Sequence, residues 1–195
     1  GYQKIIDGSR QVVENYNPTI DVDPSWEMVE LGDIGEIKTG KLNANAAVED
    51  GEFPFFTCSK DTYRINTYAF DGEYILLSGN NASGDFDVKY YNGKFNVYQR
   101  TYVIRIVSQE YDYQFVRYVM NQQLNILKEA SFGSQTKYLT LPIVKSISVP
   151  KIPLMDQKNI IERLNVELNG VDANLKLIEG FNKKMNNKIE KIWGE

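Results

Sequence analysis

Four short polar stretches hold the side chains best suited to chemistry in this chain: residues 38–46, 57–64, 78–85 and 133–138. Three combine a lysine or arginine with amides or hydroxyls, and residues 78–85 place two asparagines directly after an apolar run. Cations contact phosphates, whereas amides and hydroxyls can bond to base edges. Each stretch alone could equally be an ordinary solvated loop. Together they predict a nucleic-acid contact surface of Lys38, Lys41, Asn43, Ser59, Lys60, Tyr63, Arg64, Asn80, Asn81, Ser134, Gln135, Lys137 and Tyr138.

The chain has no histidine and a single cysteine. Ser-His-Asp and Cys-His catalysis are therefore excluded, as are zinc sites that need histidine or several cysteines. The usual general base near neutral pH is also missing. Residues 78–85, SGNNASGD, have neither the GKS or GKT ending of a P-loop nor a GxGxxG pattern. The common catalytic routes are closed, although catalysis as such is not.

A metal-dependent nuclease is the enzymatic alternative. Its active sites often use an acidic residue followed later by Asp/Glu-x-Lys, and residues 87–89 and 156–158 both fit that second half. The alternative is that neither triplet is catalytic: the first precedes a turn and the second begins a helix. An adenine methyltransferase would need an NPPY-like motif and a glycine-rich cofactor loop, and the sequence contains neither.

The net charge of −4 does not by itself indicate a nucleic-acid binder. Its distribution is uneven: residues 1–37 carry a net charge of −6, residues 38–138 are neutral, and residues 139–195 carry +2. Contact with nucleic acid must therefore come from local patches. With one cysteine, no signal peptide and no long apolar span, the expected location is the cytoplasm. Because Gly1 already lies in a helical pattern, we expect a fragment of a longer protein.

The pattern of the remaining residues predicts an α+β fold with a mixed sheet. Residues 2–16 form an amphipathic helix with Tyr2, Ile6, Val13 and Tyr16 on one face. Further along the chain, residues 73–79 form a buried strand, Asn92-Gly93 marks a hairpin, and residues 143–153 form a last strand. Asp112 caps a helix that reaches about Ala130, with Phe115, Val116, Val119, Met120, Ile126 and Leu127 facing inward.

The C-terminal residues predict a long helix, with Asp156 as its N-cap. Two interlocked seven-residue series of mostly apolar residues run along it, which is the pattern of a coiled-coil seam. At 1.5 Å per residue the helix would be roughly 55 Å long, more than a small domain needs to cover its own core. Asn182 either fixes the register of the seam or marks where it turns to solvent. The predicted helix-pairing residues are Ile161, Leu164, Leu168, Val171, Leu175, Ile178, Asn182, Met185 and Ile189, with Ile192 beyond them.

The order of these motifs resembles the specificity (S) subunit of type I restriction–modification systems. The likeness is to a single target-recognition domain with its adjoining conserved helices. The motifs that carry it are Trp26 to Asp33, Lys38 to Lys41, Gly72 to Asn80, Tyr91 to Lys94, Gln99 to Val103, Gly133 to Gln135 with Leu139, and Ile147 to Lys158. The family usually has two prolines, a leucine and Glu-Gln at the last of these, and Met155 and Asp156 depart from it conservatively. We expect residues 1–17 to end a conserved helix, residues 18–154 to form the recognition domain, and residues 155–195 to form the spacer helix.

The resemblance implies a non-catalytic subunit without a cofactor of its own. Family members carry two recognition domains, each reading one half of a bipartite double-stranded DNA site, spaced by antiparallel helices. The helices dock methyltransferase (M) subunits, which methylate adenine with S-adenosylmethionine, and restriction (R) subunits join that complex. With one recognition domain, this chain would be either the second, C-terminal half of a full subunit or a half-length subunit that pairs head-to-tail as a homodimer. A protein-interaction scaffold that does not bind DNA remains the alternative from another class.

Overall fold

The structure is a computed structural model that describes residues 2–16 and 18–193, without the side chains of Tyr2, Ile192 and Trp193. It divides into two compact units. The globular unit is Ile20–Lys158, and the helical unit joins Gly1–Thr19 to Asn159–Glu195. The predicted face position of Tyr2, the seam position of Ile192 and the domain limits at residues 1, 17 and 195 lie outside the described residues or side chains. The predicted three-part division stays a prediction.

The secondary structure is mixed. In chain order the strands are β1 (Met28–Glu30), β2 (Gly35–Thr39), β3 (Phe53–Phe56), β4 (Thr62–Ile65), β5 (Phe70–Ser78), β6 (Asn80–Asn81), β7 (Val88–Val97), β8 (Thr101–Ile106), β9 (Lys137–Tyr138) and β10 (Ser148–Pro150). The helices are α1 (Tyr2–Glu14), α2 (Leu31–Ile34), α3 (Tyr113–Gln122), α4 (Leu124–Ala130), α5 (Leu141–Lys145) and α6 (Leu154–Trp193). Among the described residues, none of these helices is long and apolar enough to cross a membrane.

The main sheet has six strands in the order β2-β8-β5-β7-β3-β4. All neighbours are antiparallel except β3 and β7, so the sheet is mixed, as predicted. The predicted strand at residues 73–79 is part of β5 as far as Ser78, at the centre of the sheet, where its apolar run is fully buried. Other fully buried side chains of the core include Phe55, Phe95 and Ile104. The α+β fold class is confirmed.

The helix predicted after Asp112 is present but broken. Asp112 caps α3, its Oδ1 accepting from the backbone N–H groups of Gln114 at 2.8 Å and Phe115 at 3.3 Å. The chain kinks at Gln123, whose side chain donates to the carbonyl of Ser148 at 2.7 Å, and α4 follows. The predicted inward residues are buried except Ile126, which is 60% exposed because the break rotates its face outward.

The hairpin predicted at Asn92-Gly93 is wrong. Both residues lie inside the ten-residue strand β7, where Gly93 pairs with Gly72 across from it. Each of these glycines has a positive φ, +137° and +123°, a backbone conformation that other residues rarely adopt. Asn-Gly is a signal for positive φ, and Gly93 does adopt one. In this sheet the two positive-φ glycines face each other on neighbouring strands and do not form a turn.

The last predicted strand is half wrong. Residues 141–145 form the short helix α5, and only Ser148–Pro150 is a strand, paired with β1 in a separate two-stranded sheet. Pro142 stands in the first turn of α5, a position where its missing N–H costs nothing. The alternation of apolar residues over 143–153 therefore predicts one strand where the chain forms the end of a helix and then a short strand.

Helix α6 begins at Leu154, so Asp156 lies in its first turn and the predicted N-cap role is wrong. The following residue, Gln157, is completely buried in the globular unit. Its Oε1 accepts from the backbone N–H of Asp112 at 2.9 Å, and its Nε2 donates to the carbonyls of Glu110 at 2.7 Å and Ile152 at 2.9 Å. One amide side chain thus fastens two loops to the base of the helix.

The helical unit contains α1 and most of α6. The hydroxyl of Tyr16 donates to the Glu167 carboxylate at 2.8 Å, and a cavity of about 300 Å³ lies between Val12 and Val13 on one side and Gly170 and Val171 on the other. The amphipathic α1 predicted over residues 2–16 therefore lies along α6. On the seam, Leu164 is fully buried and Met185 and Ile189 are over a third exposed; Ile161, Leu168, Val171, Leu175, Ile178 and Asn182 are half-buried.

Candidate nucleic-acid interface

A tight turn between β7 and β8 forms the centre of the candidate site. Residues Tyr98 to Thr101 make the turn, closed by a hydrogen bond from the Thr101 N–H to the Tyr98 carbonyl at 2.9 Å. The Gln99 N–H donates to the carbonyl of Leu42 at 2.8 Å, and the carbonyl of Arg100 accepts from the Gly79 N–H at 2.8 Å. Two of the predicted polar loops, residues 38–46 and 78–85, therefore meet at this turn.

Two glycines let those loops approach. A Cβ at Gly40 would lie 2.2 Å from the Val97 carbonyl oxygen, and a Cβ at Gly79 would lie 2.3 Å from the carbonyl oxygen of Arg100. Neither distance is compatible with a side chain. Because glycine has no Cβ, Gly40 and Gly79 allow one backbone segment to approach another closely.

The third loop joins through a short sheet. Strands β6 and β9 are antiparallel and pair Asn80 with Tyr138 and Asn81 with Lys137. The Leu139 N–H donates to the Gly79 carbonyl at 2.8 Å, which continues the connection. Residues 78–85 and 133–138 are therefore held side by side.

A cavity of about 400 Å³ opens where these loops meet, lined among others by Thr39, Asn80, Gln99, Arg100, Thr136 and Tyr138. The buried Tyr102 also borders it and donates its hydroxyl to the Leu139 carbonyl at 2.9 Å. Burial raises the pKa of Tyr102, and the positive charge of Arg100 opposes that rise. The wall is thus made of amides and hydroxyls beside one guanidinium.

A second cavity of about 500 Å³ has a cationic rim, with Lys38, Lys41 and Arg105 beside the rings of Phe70 and Tyr74. Lys38 has a carboxylate neighbour, Glu36, at 3.7 Å. Thr39 borders both cavities. The first polar loop therefore places its two lysines on the second cavity, whereas Asn80 and Gln99 line the first.

Among the predicted contact residues, Asn43, Asn80 and Tyr138 lie at the turn or its cavity, whereas Lys38 and Lys41 line the second cavity. Asn43 accepts a hydrogen bond at its Oδ1 from the side-chain Nε2 of Gln99 at 3.0 Å, which ties it to the turn. Ser134 and Gln135 are exposed in the loop that precedes β9. The ring of Tyr138 stacks on Phe132, with centroids 5.9 Å apart, so the loop is closed by an aromatic pair.

The two neighbouring asparagines have different roles. The Oδ1 of Asn81 accepts hydrogen bonds from the Ser83 N–H and hydroxyl, both at 2.9 Å, and from the Asp85 N–H at 3.3 Å. That side chain organises its own loop. Asn80 instead borders the cavity. The position next to the cavity is the better candidate for ligand contact.

The remaining loop, residues 57–64, divides between two places. The Cys58 thiol donates to the Arg100 carbonyl at 3.4 Å, and the Ser59 carbonyl accepts from the Lys89 ammonium at 2.7 Å, so this half borders the turn. Lys60 is exposed, and its charge contributes, after Lys128 and Ser83, to holding the pKa of Asp85 below its ordinary value.

The other half, Tyr63 and Arg64, lies on β4 at the far edge of the sheet. Arg64 donates from Nε to the Gly51 carbonyl at 2.9 Å and from Nη2 to the Glu52 carbonyl at 2.7 Å. The structure does not bring these two residues to the turn. Arg64 fastens a neighbouring loop instead.

Gln99 and Arg100 are absent from the residues predicted to contact a ligand, as are Thr39 and Thr136. Loop composition missed the first pair because it occupies a two-residue turn rather than a polar stretch. The signal that could have found it is a polar pair between two apolar strand runs, FNVY and TYVIRI.

The nuclease triplets do not assemble a site in the part of the chain that the structure describes. The Lys89 ammonium pairs with Asp87 at 2.6 Å. Gln157, in the second triplet, is buried in the bonds described above. No group of three or more carboxylate, cysteine or histidine side chains that could hold a metal occurs among the described residues.

A family model described as "Type I restriction modification DNA specificity domain" matches residues 24–190. The chain belongs to that family. The motif resemblance to type I specificity subunits is thus confirmed. The match runs from Pro24, ahead of β1, almost to the end of α6.

Individual relatives agree. The type I restriction enzyme EcoDI specificity subunit of Escherichia coli is 39% identical over 148 residues, 76% of this chain and 32% of that protein. Two crystal structures share the fold: the S subunit from M. genitalium (TM-score 0.63, 16% identity, 77% of this chain and 41% of that one) and the HsdS subunit from Thermoanaerobacter tengcongensis (0.59, 16%, 90% and 48%). The chain spans about a third to a half of the length of these relatives.

Proposed function

We propose that this specificity domain reads one half of a bipartite double-stranded DNA target for a type I methyltransferase or restriction complex. The observation that carries the proposal is the convergence of three polar loops on the Gln99-Arg100 turn. Cations on those loops suit phosphates, and the amides beside the cavity suit base edges. We infer that the contact surface consists of the predicted loop residues that meet there, joined by Gln99 and Arg100.

Its partners follow from the same proposal. M subunits would dock on the helical unit and supply S-adenosylmethionine, which this chain does not bind, and R subunits would join through them. A head-to-tail homodimer, or a second domain in a longer polypeptide, would provide the other half-site. A cytoplasmic location belongs to the same proposal.

Substituting the loop lysines should weaken DNA binding. We expect Lys41→Ala, Lys60→Ala and Lys137→Ala each to lower affinity for duplex DNA and to flatten its salt dependence, since each phosphate contact contributes about one unit to the slope of log K against log[salt]. Fluorescence anisotropy with a labelled duplex at several salt concentrations measures both quantities. Lys151→Ala is the matched control. It removes the same charge, but Lys151 pairs with Glu27 at 3.7 Å, so we expect neither the affinity nor the salt dependence to change. Unchanged affinity in all three loop variants would support the protein-interaction scaffold instead.

The nuclease alternative has a direct test. We expect the pure chain to leave supercoiled plasmid intact when incubated with Mg²⁺, because the described residues hold no group of three or more carboxylate, cysteine or histidine side chains that could bind the metal. Agarose electrophoresis over time measures nicking and linearisation. Cleavage that disappears in Asp87→Asn would show that the triplet is catalytic and would contradict the proposal.

A further inference from the structure

The Gln99-Arg100 turn has a fixed backbone and exposed side chains. The carbonyl of Arg100 accepts from both the Gly79 N–H and the Cys58 thiol, and the N–H of Gln99 donates to Leu42. These bonds come from three separate segments of the globular unit. The turn is thereby held in one conformation before any ligand arrives, which lowers the entropic cost of binding.

The guanidinium of Arg100 is available for a ligand. It is exposed and, among the described residues, makes no hydrogen bond or ion pair, although its charge acts on Tyr102. Two other arginines of the unit are occupied: Arg64 by two backbone carbonyls, and Arg117 by the Gln114 side chain and the Tyr118 ring. A free guanidinium on a rigid support presents a planar fork of donors in a defined place.

Its surroundings favour a base over a phosphate as the ligand. Arg100 stands where three loops meet, next to Asn80 and Thr136 along the cavity wall, and the lysines suited to phosphates lie on the loops around it. The fork of an arginine matches the N7 and O6 acceptors of guanine in the major groove. The side-chain amide of the neighbouring Gln99 donates to Asn43, so this side chain stabilises the turn.

Resting on the function proposed above, we propose that Arg100 is a specificity-determining residue that reads one guanine of the half-site. Its two terminal donors would bond to O6 and N7 of that guanine. Gln99, through Asn43, positions the turn that carries it. Discrimination at this base pair should be roughly 5- to 150-fold, the range for one good bidentate contact.

The experiment selects bound duplexes from a library with a randomised core, using the full 195-residue chain. The wild-type chain should enrich a half-site that contains a required guanine. Arg100→Ala should lose the preference at that position alone, and Arg100→Lys should weaken it, because lysine keeps the charge and can reach guanine but lacks the planar fork. Arg117→Ala, the control for loss of one guanidinium, should keep the wild-type motif. Circular dichroism melts establish that all variants are folded.

A chemical probe then identifies the atom. Replacing the required guanine by 7-deazaguanine removes N7, so it should weaken binding of the wild-type chain and have no effect on Arg100→Ala. An unchanged motif in both Arg100 variants would overturn the inference. So would an equal loss of affinity for every sequence with a smaller salt slope, which is the behaviour of a phosphate contact. Failure of the wild-type chain to enrich any motif would count against the proposed function itself.

Discussion

Replacing Gln157 with alanine is expected to lower the free energy of unfolding of the globular unit by about 3–5 kcal/mol. The side chain is fully buried and satisfies one backbone N–H and two backbone carbonyls. Its loss leaves these three backbone groups buried without a hydrogen-bond partner, and each buried unsatisfied group costs roughly 1–3 kcal/mol. The measurement is urea denaturation followed by circular dichroism, compared at equal m-value.

Two further variants separate hydrogen bonding from packing. Gln157→Met fills nearly the same volume without donors or acceptors, so it should be almost as destabilising as alanine. Gln122→Ala is the matched control: Gln122 also makes two bonds to backbone, with the N–H and carbonyl of Ile20, but it is exposed. Water replaces those bonds, and we expect a cost of about 1 kcal/mol. A Gln157→Met protein as stable as wild type would show that the amide contributes only volume.

The contrast between Asp112 and Gln157 shows where sequence prediction succeeds. The cap at Asp112 was predicted because a cap bonds to residues two and three places further along the chain. Two of the three bonds of Gln157 reach back to residues near position 110, and such distant partners leave no local pattern. Gln157 was visible only as part of the family motif after Pro153, which gave its position but not its role.

The candidate site shows the same division. Composition placed residues 38–46, 78–85 and 133–138 in loops, but it did not show that each stretch includes strand residues, of β2, of β5 and β6, and of β9. It could not tell which side chains the fold would use internally. Asn81 bonds within its own loop and Arg64 to the carbonyls of a neighbouring loop, although both are predicted contacts. Arg100 was missed for the opposite reason: its importance depends on three segments that converge on it, and convergence is a property of the folded chain.

The other large effect concerns the seam of α6. We expect Leu168→Asp or Leu175→Asp to abolish assembly with methyltransferase subunits while the globular unit stays folded. Both side chains are half-buried on the predicted pairing face, beside the stretch where Val171 and Gly170 face α1. A carboxylate there loses the apolar contact and must be desolvated, with an expected cost of about 2–5 kcal/mol for the helical unit.

The matched control is Asn169→Asp, which introduces the same carboxylate one residue away at an exposed position. It should leave assembly intact, so that loss of assembly in the leucine variants reports packing and not charge. Co-purification with the methyltransferase subunits measures assembly, and the urea transition of the globular unit measures whether that unit is unaffected. Helix α1 already covers part of the apolar face of α6, which leaves less of that face for a partner. The outcome therefore also decides which face of α6 docks the methyltransferase subunits. Assembly that survives both Leu168→Asp and Leu175→Asp would move the docking surface to the opposite stripe of α6, where Val166, Leu177 and Phe181 are 66%, 59% and 61% exposed.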